Sequence, residues 1–129
     1  MTKAKLRFSN KKIKPAFTDK RGSISDILEE PVGHIGIITF AKGVVRANHY
    51  HKKSVQYSYV LEGKIELTIA DTKGKKKRKY IIDKGTLTTI PTHTAHAYKA
   101  LTKATILDIT TFDRKGNAYE DDTFRIQLV

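Results

Sequence analysis

The sequence predicts an all-β fold, a sandwich or small barrel, built as one domain. From Gly33 onward, short segments rich in Ile, Val, Thr, Tyr and Phe recur at close spacing, separated by Gly, Pro, Asn, Asp or Lys clusters. The one stretch with helical composition, Ile24 to Glu30, is too short to compete. A chain of 129 residues can bury one sizeable core but not two comfortable ones.

In chain order, residues 1–16 are rich in lysine and arginine, with Leu6, Phe8 and Ile13 as sparse apolar anchors. They read as a basic arm or edge strand ahead of a single domain over 17–129. Phe17 to Ile24 reads as a turn in which Gly22 supplies any positive φ. The expected strands are His34 to Phe40, an extended segment carrying His49 and His51, Gln56 to Leu61, Lys64 to Ala70, Tyr80 to Asp83, Thr86 to Ile90, Ala95 to Leu101 and Thr105 to Phe112. Seven or more strands at this spacing mean a sandwich or small barrel. Glu62-Gly63 and Asp83-Lys84-Gly85 fit tight turns, and Asp71 to Lys79 fits a long hairpin tip. In the tail, Phe124, Ile126 and Leu128 share a parity suited to packing on a sheet face.

Composition limits the partners. The net charge of +12, from 25 Lys and Arg against 13 Asp and Glu, favours phosphate-bearing ligands through long-range attraction. The lysines are spread from Lys3 to Lys115, however, and the Lys75 to Lys79 run lacks interleaved aromatics, so it reads as a solvated loop tip and nucleic acid is not the expected partner. With no cysteine, a disulfide framework and a thiolate metal site are both excluded, and any metal must be held by imidazole and oxygen. No apolar run suits a signal peptide or a membrane span, which gives a cytoplasmic, membrane-free expectation.

Four of the five histidines fall in two clusters. Alternation along an extended segment puts His49 and His51 on one face, and Gln56 can return toward them from the next strand. His96 arrives from a distant strand, and Tyr98 shares its parity and should enter the same cavity. Two imidazoles at i, i+2 and a third from elsewhere can chelate a divalent ion, with Gln56 adding a neutral carbonyl oxygen. The expected ligand set is therefore His49, His51, Gln56 and His96, and the ion Fe, Ni, Mn, Zn or Cu. Tyr57 and Tyr59 have the parity opposite to Gln56 and should pack outside the cavity.

These spacings resemble the two cupin motifs. Gly43, five residues, His49-x-His51, four residues, Gln56, six residues and Gly63 form the first; Gly85, five residues, Pro91 and later His96 form the second. The chain departs from the family at Gln56 in place of Glu, His93 in place of Gly, and Ala100 in place of Asn. The resemblance implies a cupin double-stranded β-helix, a jelly-roll barrel with both histidine clusters facing its cavity. Phe17-x-Asp19-x-Arg21-Gly22, Arg46-x-x-His49-x-His51-Lys52 and Tyr119-Glu-Asp-Asp122-x-Phe124-Arg125 further resemble sugar-nucleotide 3,4-ketoisomerases and, more distantly, dTDP-4-dehydrorhamnose 3,5-epimerases.

That second resemblance implies a homodimer acting on a dTDP-4-keto-6-deoxyhexose in the making of surface polysaccharide. Arg46, Lys52 and Arg21 would bind substrate, and His51, His49 and Tyr98 would be catalytic. The resembled isomerases typically work without metal and generally lack a histidine matching His96. An imidazole whose lone pair is held by a metal cannot also accept a proton. Either the site is metal-free with His49 or His51 as base, or it is metallated and the base is Tyr98, His93 or bound hydroxide. The alternatives are a metal-dependent, dioxygenase-like cupin acting on another small molecule, and a non-catalytic small-molecule-binding cupin.

Overall fold

The computed structural model describes residues 6–129; the first five residues of the basic arm lie outside it. The elements are β1 (Ser9–Lys12), β2 (Phe17–Asp19), β3 (Gly22–Ile24), β4 (His34–Phe40), β5 (Val45–Tyr50), β6 (Gln56–Glu62), β7 (Lys64–Ala70), β8 (Arg78–Asp83), β9 (Thr86–Ile90), β10 (Ala95–Ala100), β11 (Ala104–Thr110), the single turn α1 (Ala118–Asp121) and β12 (Phe124–Arg125). Two five-stranded sheets, ordered β1-β9-β6-β11-β4 and β12-β5-β10-β7-β8, form an all-β jelly roll, with β2 and β3 as a separate hairpin. Every pairing is antiparallel.

The period-2 alternation of side chains divides each strand between the two faces. Phe40, Val60, Ile90 and Ile106 of the first sheet meet Ile65, Leu67, Ile69, Ile82 and Tyr98 of the second in the main core. Burying each such apolar side chain is worth about 1.5–3 kcal/mol, so this inner face stabilises the sandwich. Tyr57 points the other way, packing with Leu87 and Ile109 on the outer face, where Ile27, Leu28 and Val32 cover them. The segment from Ser25 to Val32 covers that face as irregular chain, without forming a helix.

Some boundaries differ from the sequence expectation. β8 begins at Arg78, two residues early, because Asp71 accepts hydrogen bonds from the backbone N–H groups of Lys73 and Lys75 (2.9 Å each) and tightens the tip. The tail forms only a two-residue strand; Phe124 stacks on Tyr50 at 5.3 Å, and Ile126 and Leu128 then pack around Ala70, Ala95 and Ala97. Among the described residues no helix is long and apolar enough to cross a membrane.

The β6–β7 turn depends on Gly63. Its φ is +89°, and a Cβ there would lie 2.3 Å from the Lys103 carbonyl oxygen and 2.7 Å from Ala104. Gly43 has a similar φ of +87° but open space around it. Gly63→Ala should therefore cost about 3 kcal/mol or more, against about 1–2 for Gly43→Ala, where only the left-handed backbone is penalised. Thermal unfolding checks this: a fall in Tm of roughly 10 °C or more is expected for the first variant and a few degrees for the second.

Candidate functional site

The site lies between the sheets, where β5 and β10 face β6 and β11. Register pairs His49 of β5 with His96 of β10, then shifts so that Ala47 faces Ala97, leaving Asn48 as the extra residue of a β-bulge. Ala47 and Asn48 take φ of 75° and 56°, which L-residues adopt at a cost. Asn48 offsets that cost through its side chain, whose Oδ1 accepts the Leu128 and Val129 N–H groups at 2.9 and 3.1 Å. The bulge changes the parity of the strand. Arg46 and His49 are three residues apart, yet both line one cavity, which plain alternation forbids.

One ring nitrogen from each of His49, His51 and His96 lies within 4.8 Å of the others, and all three residues are buried. His51 Nδ1 lies 2.7 Å from the Asp122 carbonyl oxygen, and His96 Nδ1 lies 3.0 Å from that of Thr94. A carbonyl only accepts, so both Nδ1 atoms carry the proton and both Nε2 atoms keep a lone pair. Each of those Nε2 atoms is buried with no hydrogen-bond partner, and so is Gln56 Oε1. Burial lowers the His49 pKa to about 2, with His96 and His51 beside it adding to the shift. Burial also lowers that of His96 to about 4, against the raising effect of its bond to Thr94. Both rings are therefore neutral near pH 7, the form that ligates a metal.

Gln56 is fixed by a residue that strand patterning alone passed over. Its Nε2 donates to Asp108 Oδ1 at 2.7 Å, which leaves Oε1 as the free end of the amide. Asp108 is 1% exposed and forms an ion pair with Arg114, whose guanidinium lies 4.3 Å from the centre of the Tyr119 ring. A lone carboxylate inside Ala104 to Thr110, on the parity of buried Ile106 and Thr110, was the available signal for Asp108. Arg114 lies in an aperiodic loop and gave none. Tyr98 is 2% exposed; its hydroxyl bonds that of Ser58 and accepts from Gln56 Nε2 at 3.4 Å. Burial, and then the Asp108 charge, push the Tyr98 pKa up, so the phenol stays protonated.

His49, Arg46, Gln56, Tyr98, Asp108, Arg114 and Tyr119 line a cavity of about 130 Å³ together with Phe40 and Ile38. His51 lies behind it, against Tyr119 and Asp122. Three residues expected at the site do not line this cavity. Arg21 sits in the β2–β3 turn, its guanidinium forked onto Asp19 at 2.7 and 3.0 Å because the two are only two residues apart across a tight turn. Lys52 turns outward, its ammonium 4.3 Å from the centre of the Phe124 ring. His93 is tied to the cluster by its backbone, its N–H donating to the His51 carbonyl at 2.7 Å, but it lines a separate groove of about 850 Å³ with Arg7, Phe8, Arg78 and Tyr80.

The cupin domain description matches residues 36–110, which hold the bulge, the three histidines and Gln56. The chain belongs to the cupin family. No curated protein matches it. Among solved structures, this cupin is similar to QdtA, a sugar 3,4-ketoisomerase from Thermoanaerobacterium thermosaccharolyticum in complex with TDP, with 19% identity, a TM-score of 0.75, and coverage of 92% of this chain and 87% of that one. It is also similar to dTDP-4-dehydrorhamnose 3,5-epimerase from Sulfolobus tokodaii, with 21% identity, a TM-score of 0.70, and coverage of 90% of this chain and 73% of the other. ChmJ, a 3'-monoepimerase from Streptomyces bikiniensis in complex with dTDP-quinovose, shares 16% identity at a TM-score of 0.71; 81% of this cupin spans 64% of that chain. At these identities the likeness is one of fold.

Proposed function

We propose that this cupin is a sugar-nucleotide isomerase or epimerase that removes a proton beside the ketone of a dTDP-4-keto-6-deoxyhexose and returns it elsewhere. The observation that carries the reading is the cavity itself, where neutral His49 and protonated Tyr98 face the same space as the cationic Arg46. Its volume of about 130 Å³ holds a reacting sugar ring but not a whole nucleotide sugar, so the diphosphate would lie toward the rim. Arg46 is exposed there, donating only to the Thr39 carbonyl at 3.2 Å, and has no carboxylate partner among the described residues. A guanidinium in that state suits a phosphate. The ketoisomerase and epimerase relatives named above support the substrate class.

The residues fit a divalent ion. Three buried acceptors without partners, on His51, His96 and Gln56, would each cost about 1–3 kcal/mol if left so, and a cation would satisfy them together. His49, His51, His96 and the Gln56 carbonyl would hold it, and a bound ion would polarise a ketone oxygen and acidify the neighbouring C–H bond. With an amide where the family has a carboxylate, the donor set is neutral.

The chain's own groups divide the proton work according to occupancy. In the metal-free site, His49 is the only imidazole of the cluster that lines the cavity; its neutral ring nitrogen would accept the proton as the C–H electrons move into the enediolate, and because its pKa is lowered to about 2 without substrate, the imidazolium would have to be stabilised by the negative enediolate forming beside it. With the cluster's lone pairs engaged, that role closes; a hydroxide from solvent in the cavity would take the C–H proton and become water, and Tyr98 would give its hydroxyl proton to the enediolate carbon and recover one from that water. His51, set behind the cavity, serves the cluster. Turnover of a dTDP-4-keto-6-deoxyhexose, followed by NMR of the sugar ring, tests the reading. The three-histidine cluster favours one rival, a metal-dependent oxygenase of another small molecule, and oxygen uptake without sugar turnover would select it.

A homodimer belongs to the same reading. β4 is an open sheet edge carrying Ile35 and Ile37 at 62% and 67% exposure, and the β2–β3 hairpin bares Phe17 and Ile24 without joining either sheet. Pairing with a second copy would cover both. Light scattering should give twice the 14.6 kDa chain mass at micromolar concentration, and a monomeric mass would contradict it.

A further inference from the structure

We propose that Asp122 is a positioning residue that fixes the tautomer and aim of His51, which makes the C-terminal segment a working part of the histidine cluster. The proposal rests on the geometry of the cluster and not on the sugar reading.

Four consecutive residues, 51–54, depend on this one side chain and its carbonyl. Asp122 Oδ1 accepts the backbone N–H groups of Lys52 and Lys53 at 2.9 and 3.0 Å, and Oδ2 accepts that of Ser54 at 2.9 Å. Its carbonyl oxygen accepts Nδ1–H of His51 at 2.7 Å. The turn between β5 and β6 thus satisfies three of its amides on a carboxylate that is itself 8% exposed. Holding the turn sets the distance from the His51 ring to the carbonyl, the carbonyl holds the proton on Nδ1, and the Nε2 lone pair is left for the cluster.

Asp122 is in turn held from both sides. Its own N–H donates to the Tyr119 carbonyl at 3.2 Å, and Arg125 pairs in register with His49. Farther on, the backbone of Asn48 accepts the Ile126 N–H at 2.9 Å, and its side chain takes Leu128 and Val129. His96 provides an internal comparison, because its Nδ1 is fixed by Thr94, which Asp122 does not touch.

The test is two-bond ¹⁵N–¹H correlation on the full chain after chelator treatment, followed by titration with zinc. In the wild type both His51 and His96 should show the Nδ1–H tautomer. In Asp122→Ala, His51 should move to the Nε2–H form or to a mixture while His96 stays unchanged, and zinc affinity should fall about 10–100-fold. Asp122→Asn, which keeps one acceptor oxygen, should hold Nδ1–H with a smaller loss. An unshifted His51 in Asp122→Ala, or a wild-type His51 protonated on Nε2, overturns the proposal. If the alanine variant does not fold, the asparagine variant decides, because unshifted Lys52, Lys53 and Ser54 amides with wild-type zinc affinity would also overturn it. Should the wild type bind no zinc, the metal reading fails while the tautomer measurement still judges Asp122.

Discussion

Freed of metal and then titrated with zinc, the protein should take up one ion per chain, and the double substitution His51→Ala with His96→Ala should abolish the uptake. The two Nε2 atoms removed are buried acceptors with no partner in the protein, and each ring is already turned by a carbonyl on its far side. Outer partners of this kind are worth about 10–100-fold in affinity, so deleting two of the proposed ligands themselves should cost more than that. The pH dependence has a definite sign. His96, with a pKa lowered from 6.5 to about 4, stays neutral as the pH falls through the range where a free histidine protonates. Protonation of His96 should therefore end uptake only as the pH approaches 4. Stability follows the same sign: the unfolded chain binds protons on His49 and His96 near pH 6.5 and the folded chain only near 2 and 4 respectively, so the fold weakens as pH drops below about 6.5. An equal uptake by wild type and double variant would remove the cluster as the metal site.

Replacing Tyr98 by phenylalanine should lower kcat on a dTDP-4-keto-6-deoxyhexose by about 10²–10⁴-fold in the metal-loaded protein, the usual worth of a positioned acid or base. Tyr98 lines the cavity, its hydroxyl lies among Ser58, Gln56 and Asp108, and its raised pKa keeps the proton in place until a developing enediolate draws it off. KM should change little, since the hydroxyl contributes to the transition state and not to holding the diphosphate. The metal-free protein, where His49 is open, should lose far less. Ser58 and Gln56 lose a partner in the variant, so unfolding should be easier by about 1–2 kcal/mol, which a melting curve separates from the kinetic loss. Equal small losses in both forms would exclude Tyr98 as the proton carrier.

The fold was legible because period-2 alternation and turn residues act locally. Strands such as His34–Phe40 and Lys64–Ala70 fall where the pattern puts them, and Tyr57 faces outward as its parity requires. The histidines were legible for the same reason, since the spacing of His49, His51 and His96 matches strands that pair. Alternation could not show the bulge at Ala47 and Asn48, because positive φ at non-glycine residues is stabilised there by the distant Leu128 and Val129. That bulge is what brings Arg46 to the cavity. Arg21 and Lys52 do not line the cavity, and their charges find local partners in Asp19 and the Phe124 ring. Arg114 and the α1 turn that carries Tyr119 come from an irregular segment whose path is set by contacts with Asp108 and His51.

The most direct measurement on the proton-transfer reading is the reaction of a dTDP-4-keto-6-deoxyhexose in deuterium oxide, with the recovered sugar read by mass spectrometry and NMR. Isomerisation and epimerisation pass through one enediolate, and a side-chain acid or base that exchanges with solvent before returning its proton leaves a label behind. One deuterium is expected on the carbon beside the ketone, with Arg46→Ala weakening substrate binding without changing the labelled position. Unlabelled sugar from every such substrate, together with oxygen consumption on a different small molecule, would contradict it.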